Sequence, residues 1–166
     1  MLSKEKIKQD LTLALKGKME AEISVLRQLL AVILNKEKEK RYKIGKGKPG
    51  LTEEELVKES SLVEGEIVDV ISSEAKKRKE SISEFEKGGR QELVQKEKSE
   101  LEVLMKYLPE QMSEEELKKL SKEAIEKVGA ESQKDMGKVM AELMPKVKGK
   151  ADGGLISKTV KDLLGF

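Results

Sequence analysis

Ser132–Gly154, which reads S-Q-K-D-M-G-K-V-M-A-E-L-M-P-K-V-K-G-K-A-D-G-G, is the stretch that decides the C-terminal part of the predicted fold. Its apolar residues recur at helical spacing and therefore share one helix face: Met136, Val139, Met140, Leu143 and Met144. Ser132 is a suitable N-cap, and Pro145 is expected to end or bend the helix because its ring clashes with the preceding turn. Asp152 is a suitable N-cap for a last helix. The stretch predicts two short helices joined by a corner rich in lysine and glycine.

The residues of this corner are suited to phosphate. Lys146, Lys148 and Lys150 surround Gly149, and Lys134 and Lys138 lie earlier in the stretch. A cationic corner on a rigid scaffold suits the phosphates of a nucleic acid, and a solvated turn is the structural alternative. The stretch contains two Gly-Lys pairs, Gly137-Lys138 and Gly149-Lys150. Neither pair follows a strand or has the residue spacing of a nucleotide-binding phosphate loop. Gly137 is instead expected to allow close helix packing.

The composition excludes several classes of function. The chain of 166 residues has neither Cys nor His, so it lacks thiol nucleophiles, zinc clusters and the usual general base near neutral pH. We predict no catalytic residue, no metal site and no cofactor. The sequence contains no run of about 18 apolar residues, so no membrane-spanning helix is predicted. The first residues lack the apolar block of a signal peptide, which favours a cytoplasmic location.

The near-neutral net charge of +2 conceals an uneven distribution. Residues 1–51 hold 13 basic and 6 acidic side chains, residues 52–132 hold 14 and 22, and residues 133–166 hold 7 and 4. Two basic ends therefore flank an acidic middle, and each end is a candidate anion-facing surface.

The apolar periodicity predicts an all-α, multihelical protein with an N-terminal four-helix bundle followed by a C-terminal three-helix bundle. The four N-terminal helices are expected at about 3–18, 20–42, 52–87 and 90–108. Gly65 is a soft spot at which the third helix can divide in two. Pro109 favours a domain boundary, with domains at 1–108 and 109–166. Capping boxes begin the helices at Thr52 and Ser113, and Gly129 suits a helix C-terminus.

A second basic patch is predicted where the second helix ends and a Gly-containing loop follows. Its members are Lys36, Lys38, Lys40, Arg41, Lys43, Lys46 and Lys48. Cations stabilise a helix C-terminus, so part of this pattern has a structural cause. The two interpretations are a solvated linker and a nucleic-acid contact that includes Tyr42.

Several motifs follow one another in a specific order and spacing. They are Leu26-Arg27-x-Leu29-Leu30, Arg78-Lys79-x-Ser81-Ile82-x-x-Phe85, Gly89-Arg90-x-x-Leu93, Tyr107-Leu108-Pro109-x-Gln111, Gly137-Lys138-Val139-Met140 and Gly149-Lys150-Ala151-Asp152-Gly153. Together they resemble the YqeY-like family, small proteins similar to the C-terminal tail of the B subunit of glutamyl/aspartyl-tRNA amidotransferase. The resemblance covers essentially the whole chain.

The resemblance implies two helical bundles and a link to tRNA, which the related amidotransferase tail contacts away from the chemistry. Carried over by position, the candidate contact residues are Gly137, Lys138, Gly149, Lys150, Asp152 and Gly153. Arg78, Lys79, Ser81, Phe85 and Arg90 match positions that are expected to be structural. The expected partners are tRNA and an aminoacyl-tRNA amidotransferase or synthetase. Any carbon–nitrogen ligase activity that uses glutamine would belong to such a complex.

Two other functions remain open from the sequence. One is a protein-binding adaptor, in which the acidic middle binds a basic partner or the Met-rich helix face binds a partner helix. Core packing is the simpler role for the methionines. An enzyme acting alone would need a Ser-Lys arrangement, and adjacent Ser and Lys are expected by chance in a chain with 40% charged residues. Our hypothesis is a cytoplasmic, tRNA-binding or tRNA-enzyme-associated accessory protein.

Overall fold

The structure, a computed structural model, describes residues 2–165. These residues form eight α-helices and no strand, which confirms the all-α prediction. The helices are α1 (Lys4–Gly17), α2 (Glu20–Gly47), α3 (Glu53–Ser60), α4 (Glu64–Lys87), α5 (Gln91–Met105), α6 (Glu114–Val128), α7 (Met136–Val147) and α8 (Gly153–Leu164). A short 3₁₀ helix, Gln133–Asp135, precedes α7. Contacts divide the chain between Tyr107 and Leu108 into two compact units.

The N-terminal unit holds five helices, α1–α5, so the predicted four-helix bundle is not confirmed. The predicted helix over 52–87 is interrupted between α3 and α4. The hydroxyls of Ser60 and Ser61 both donate to the carbonyl of Val57, at 3.1 Å each, and occupy an acceptor at the end of α3. The Glu66 carboxylate then accepts the N–H of Val63 at 2.9 Å, which helps to begin α4. Val63, which lies at this break, is exposed.

Aliphatic side chains from four helices form the core of the N-terminal unit. The fully buried large residues there are Ile7, Val25, Leu26, Leu29, Ile33, Ile67, Ile71, Val94 and Leu104. They come from α1, α2, α4 and α5, whose apolar positions repeat every three or four residues. The short α3 packs against α2 and carries the acidic side chains described below.

The C-terminal unit packs α6, α7 and α8 around a separate core. Its buried members are Leu117, Ala124, Val139, Leu143, Val147, Ile156 and Val160. Met136, Met140 and Met144 pack against this core, so the Met-rich face belongs to the interior of the unit. Pro145 does not end α7 where predicted: the helix continues to Val147.

Local capping signals position the ends of the C-terminal helices. Ser113 and Glu116 form the predicted capping box, with Glu116 N–H to Ser113 Oγ at 3.2 Å and Ser113 N–H to Glu116 Oε2 at 2.9 Å. The backbone N–H and hydroxyl of Ser113 lower the pKa of Glu116 below its ordinary value. Gly129 ends α6 in the left-handed conformation (φ +62°), as predicted. The chain is thereby fixed on both sides of α6.

Candidate nucleic-acid interface

The lysine corner lies between α7 and α8 and has a defined backbone. Gly149 has φ +74°, a conformation that glycine adopts without steric cost. The N–H of Lys150 donates to the carbonyl of the buried Val147 at 2.9 Å, which closes the turn. The Asp152 carboxylate then accepts the N–H groups of Gly154 and Leu155, at 2.8 and 3.2 Å, and caps α8 as predicted.

The segment before α6 holds this corner in place. The N–H of Met112 donates to the carbonyl of Lys150 at 2.8 Å. The side-chain amide of Gln111 donates to the carbonyls of Gly149 and Pro109, at 2.8 and 2.9 Å. The inward-facing carbonyls are thus satisfied, while the side chains of Lys146, Lys148 and Lys150 are exposed. The sequence marked the Pro109 region only as a boundary and did not indicate this clamp.

The remaining predicted C-terminal residues lie at the other end of α7. Lys134 is exposed in the 3₁₀ helix, and Gly137 and Lys138 are exposed in the first turn of α7. Lys138 and Lys146 are eight residues apart, or about 12 Å along the axis. We call Lys134, Lys138, Lys146, Lys148 and Lys150 the C-terminal lysine cluster; it has a part at each end of α7.

Gly137 does not serve close helix packing, which corrects that prediction. No atom lies within 4 Å of the position that a Cβ at Gly137 would occupy. The residue is exposed, so it leaves the backbone at the start of α7 open to solvent.

Carboxylates partly neutralise the cluster. Lys138 Nζ lies 2.9 Å from Asp135 Oδ1, and this hydrogen bond is the main reason that the pKa of Asp135 lies below its ordinary value. Lys146 shares Glu142 with Lys127, and bonds from both lysines lower the pKa of Glu142. Within residues 2–165, neither Lys134 nor Lys150 has an ion pair.

The second basic patch is largely engaged within the N-terminal unit. Four of its cations have carboxylate partners: Lys36–Glu39 at 3.3 Å, Lys40–Glu66 at 2.8 Å, Arg41–Glu53 at 3.3 Å and Lys48–Glu59 at 2.8 Å. Three of these acids belong to α3 and α4, which lie in the acidic middle of the sequence, residues 52–132. Much of this patch therefore joins the basic end of α2 to the acidic helices that follow it.

The other members of the second patch, Lys38, Lys43 and Lys46, are exposed to solvent. Lys38 and Lys43 are exposed and have no ion pair in the described part of the chain. Lys46 Nζ lies 4.7 Å from the ring centroid of Tyr42, which is a cation–π contact. This group remains available to a ligand.

Comparison with known proteins identifies the family of the chain. The sequence model of the family described as Yqey-like protein matches residues 4–164. The chain belongs to the YqeY-like family. Altered inheritance of mitochondria protein 41, mitochondrial, from Pyrenophora tritici-repentis (strain Pt-1C-BFP) is 31% identical over 163 residues, which cover 96% of this chain and 80% of that protein. The protein of the same name from Eremothecium gossypii (strain ATCC 10895 / CBS 109.51 / FGSC 9923 / NRRL Y-1056) is 33% identical over 102 residues, covering 61% and 46%.

The Arg78 motif used for the family resemblance lies inside the N-terminal unit. The Arg78 guanidinium donates to Glu97 at 2.9 Å, to Glu100 and to the side-chain oxygen of Gln28 at 2.8 Å. Only 8% of Arg78 is exposed, so it is not available to an external anion. The network joins α2, α4 and α5, and the sequence did not indicate its acidic members.

The other residues of that motif region have different surroundings. Lys79 and Arg90 are exposed, whereas Phe85 and Ser81 are half-buried. Ser81 lines a cavity of about 290 Å³ beside Arg78.

The described residues were predicted to hold no metal site and no membrane-spanning helix. Among residues 2–165, no group of three or more acidic side chains is placed to hold a metal ion. In the same part of the chain, no helix has both the length and the apolar character needed to cross a bilayer.

Proposed function

We propose that this chain is a tRNA-binding accessory protein that contacts the tRNA phosphate backbone through the C-terminal lysine cluster. The observation that carries the proposal is the fixed corner at 147–152. Backbone hydrogen bonds and the Gln111 amide hold its main chain, while its lysine side chains remain exposed. Cations on a fixed backbone bind phosphates with less loss of entropy than cations on a mobile loop.

Recognition would depend mainly on shape and backbone charge. Only 2% of the residues are aromatic, so extensive stacking on bases is excluded as the main source of affinity. Contacts to phosphate position a protein on nucleic acid without reading its sequence.

The partner enzyme in this proposal is an aminoacyl-tRNA amidotransferase or synthetase. The family resemblance supports this assignment. The chain would supply binding, and any glutamine-dependent carbon–nitrogen ligase chemistry would belong to the complex. The pure protein should then release no ammonia from glutamine, and measurable release would contradict the division of roles.

A matched pair of variants tests the binding site. The cluster variant carries Lys134→Gln, Lys148→Gln and Lys150→Gln. The control carries Lys118→Gln, Lys119→Gln and Lys122→Gln, three exposed positions on α6, and changes the net charge equally. We expect the cluster variant to lose most of its affinity for total tRNA at 50–100 mM salt, while the control keeps it. Equal loss in both variants would indicate a nonspecific charge effect and contradict the proposed site.

The second candidate function is a helical protein-binding adaptor without nucleic-acid binding. Exposed apolar side chains in the N-terminal unit favour it: Leu13 is 62% exposed and Met19 is 50% exposed, beside a cavity of about 530 Å³. Recovery of the same protein partner before and after nuclease treatment, together with no tRNA binding by the pure protein, would support the adaptor over the tRNA function.

The predicted compartment is the cytoplasm, whereas both relatives above are named as mitochondrial proteins. Cell fractionation with a tag at the C-terminus distinguishes the two locations, and recovery with mitochondria would overturn the prediction.

A further inference from the structure

Tyr42 lies near the end of α2 and is far more exposed than a packing residue. Its relative exposure is 65%, and the chain contains only two Tyr, two Phe and no Trp. A surface cavity of about 460 Å³ adjoins it, lined by Lys38, Arg41, Tyr42, Gly45, Lys46 and Leu56. That volume lies within the usual range of small-molecule sites. The site combines an open aromatic ring with cations and a small apolar wall.

The charges around the ring differ from those in the rest of the second basic patch. Arg41 is held by Glu53 and by the Ser60 hydroxyl, each at 3.3 Å. Lys38 has no ion pair among residues 2–165, and Lys46 interacts with the Tyr42 ring. An incoming anion can therefore bind Lys38 and Lys46 without displacing a carboxylate from either side chain.

The helix sets the spacing of these groups. Lys38, Tyr42 and Lys46 are four residues apart, which places them on one face of α2 at steps of about 6 Å along the axis. A ring between two cations on one face matches a nucleotide, which has a flat base linked to phosphates on both sides. Lys46 lies over one face of the ring, so the other face is the one to which a base can stack.

We propose that this site binds one unpaired nucleotide of an RNA, with its base stacked on Tyr42 and its flanking phosphates near Lys38 and Lys46. The proposal rests on the proposed function for the class of ligand and adds a base contact to the backbone contacts of the C-terminal lysine cluster. Base–aromatic stacking tolerates any base, so the site selects unpaired over paired nucleotides rather than one sequence.

The test uses the full chain, a labelled single-stranded RNA 12-mer and an abasic 12-mer of equal charge. We expect Tyr42→Ala to weaken binding of the base-bearing RNA by about 5- to 150-fold, since stacking one base on an aromatic contributes about 1–3 kcal/mol. Tyr42→Phe should keep the affinity, because the ring remains. Binding of the abasic RNA should be the same for all three proteins. Unfolding midpoints in urea check that the exposed substitution leaves the fold intact.

A charge-matched pair tests the lysines. Lys38→Gln should weaken binding, while Lys8→Gln removes the same charge from an exposed lysine on α1 that does not line the cavity and should have little effect. Equal binding of the base-bearing and abasic RNAs by the wild type, or unchanged binding by Tyr42→Ala, would overturn the inference.

The two proposals fail separately. If tRNA binding is lost in the cluster variant but Tyr42→Ala binds the 12-mer normally, only the Tyr42 site is wrong. If Tyr42→Ala loses the 12-mer while the cluster variant binds tRNA normally, the Tyr42 site stands and the proposed C-terminal contact is wrong.

Discussion

Replacing Arg78 with Met should destabilise the N-terminal unit strongly. The guanidinium is the partner of Glu97 and Glu100, and the side-chain exposures of Arg78 and Glu100 are 9% and 6%. Removal of one member of a buried ion pair costs about 3–5 kcal/mol, because it leaves an uncompensated charge in the interior. Ser24 Oγ also donates to Glu100 at 3.1 Å, so one weaker contact to that carboxylate would remain.

Urea unfolding followed by circular dichroism measures this effect. With an m-value of about 1.5 kcal/mol/M, the midpoint of the N-terminal transition should fall by roughly 2–3 M. Adding Glu97→Gln and Glu100→Gln to the Arg78→Met variant removes the orphaned charges and should recover most of the loss.

Two outcomes would refute this reasoning. One is a loss below about 1 kcal/mol for Arg78→Met, the size expected of an exposed ion pair. The other is a triple variant that is no more stable than the single variant, which would attribute the loss to side-chain packing rather than to charge.

Three further results are expected. Asp152→Ala should lower the free energy of unfolding of the C-terminal unit by about 1 kcal/mol in urea, with Asp152→Asn close to wild type; equal loss in both would contradict the capping role. Ser113→Ala should raise the pKa of Glu116 part of the way to its ordinary value in an NMR titration, because the hydroxyl donor is lost and the backbone donor remains. Since the wild-type pKa is depressed, the stabilisation by Glu116 is present above the ordinary carboxyl pKa and is lost as pH falls through the folded value. Glu59→Gln should strengthen RNA binding at low salt by releasing Lys48, and unchanged affinity would show that this lysine lies outside the contact.

Local signals explain what the sequence could predict. The caps at Ser113 and Asp152 depend on residues within three positions of each other, and both were predicted correctly. Helix periodicity likewise predicted the apolar face of α7, where Val139 and Leu143 are buried, because burial of one face follows from the 3.6-residue repeat. The sequence allowed the helix predicted at 52–87 to divide but placed the division at Gly65, which lies inside α4. The actual break precedes α4, and its position was missed because the hydroxyl-to-carbonyl bonds at Ser60 and Ser61 depend on conformation and leave the apolar repeat unchanged.

Nonlocal pairing explains what the sequence could not predict. Arg78 meets acids 19 and 22 positions away and an amide 50 positions away, among many other charged residues that could have been its partners. Three cations of the second basic patch pair with acids 11–26 positions further along the chain, as in Arg41–Glu53 and Lys40–Glu66. The net charge of a segment cannot reveal such neutralisation. The Gln111 clamp on the lysine corner spans 38 positions. These contacts decide which cations remain available to a ligand.

The salt dependence of tRNA binding tests the central proposal most directly. If about four phosphates are neutralised, a plot of the logarithm of the tRNA association constant against the logarithm of the salt concentration should have a slope of roughly −3 to −4. The affinity should then fall about a hundredfold between 50 and 200 mM salt. The cluster variant should show a slope of about −1, because each lost phosphate contact reduces the slope by about one. A flat response in the wild type, or the same steep slope in the variant, would contradict phosphate binding by the C-terminal lysine cluster.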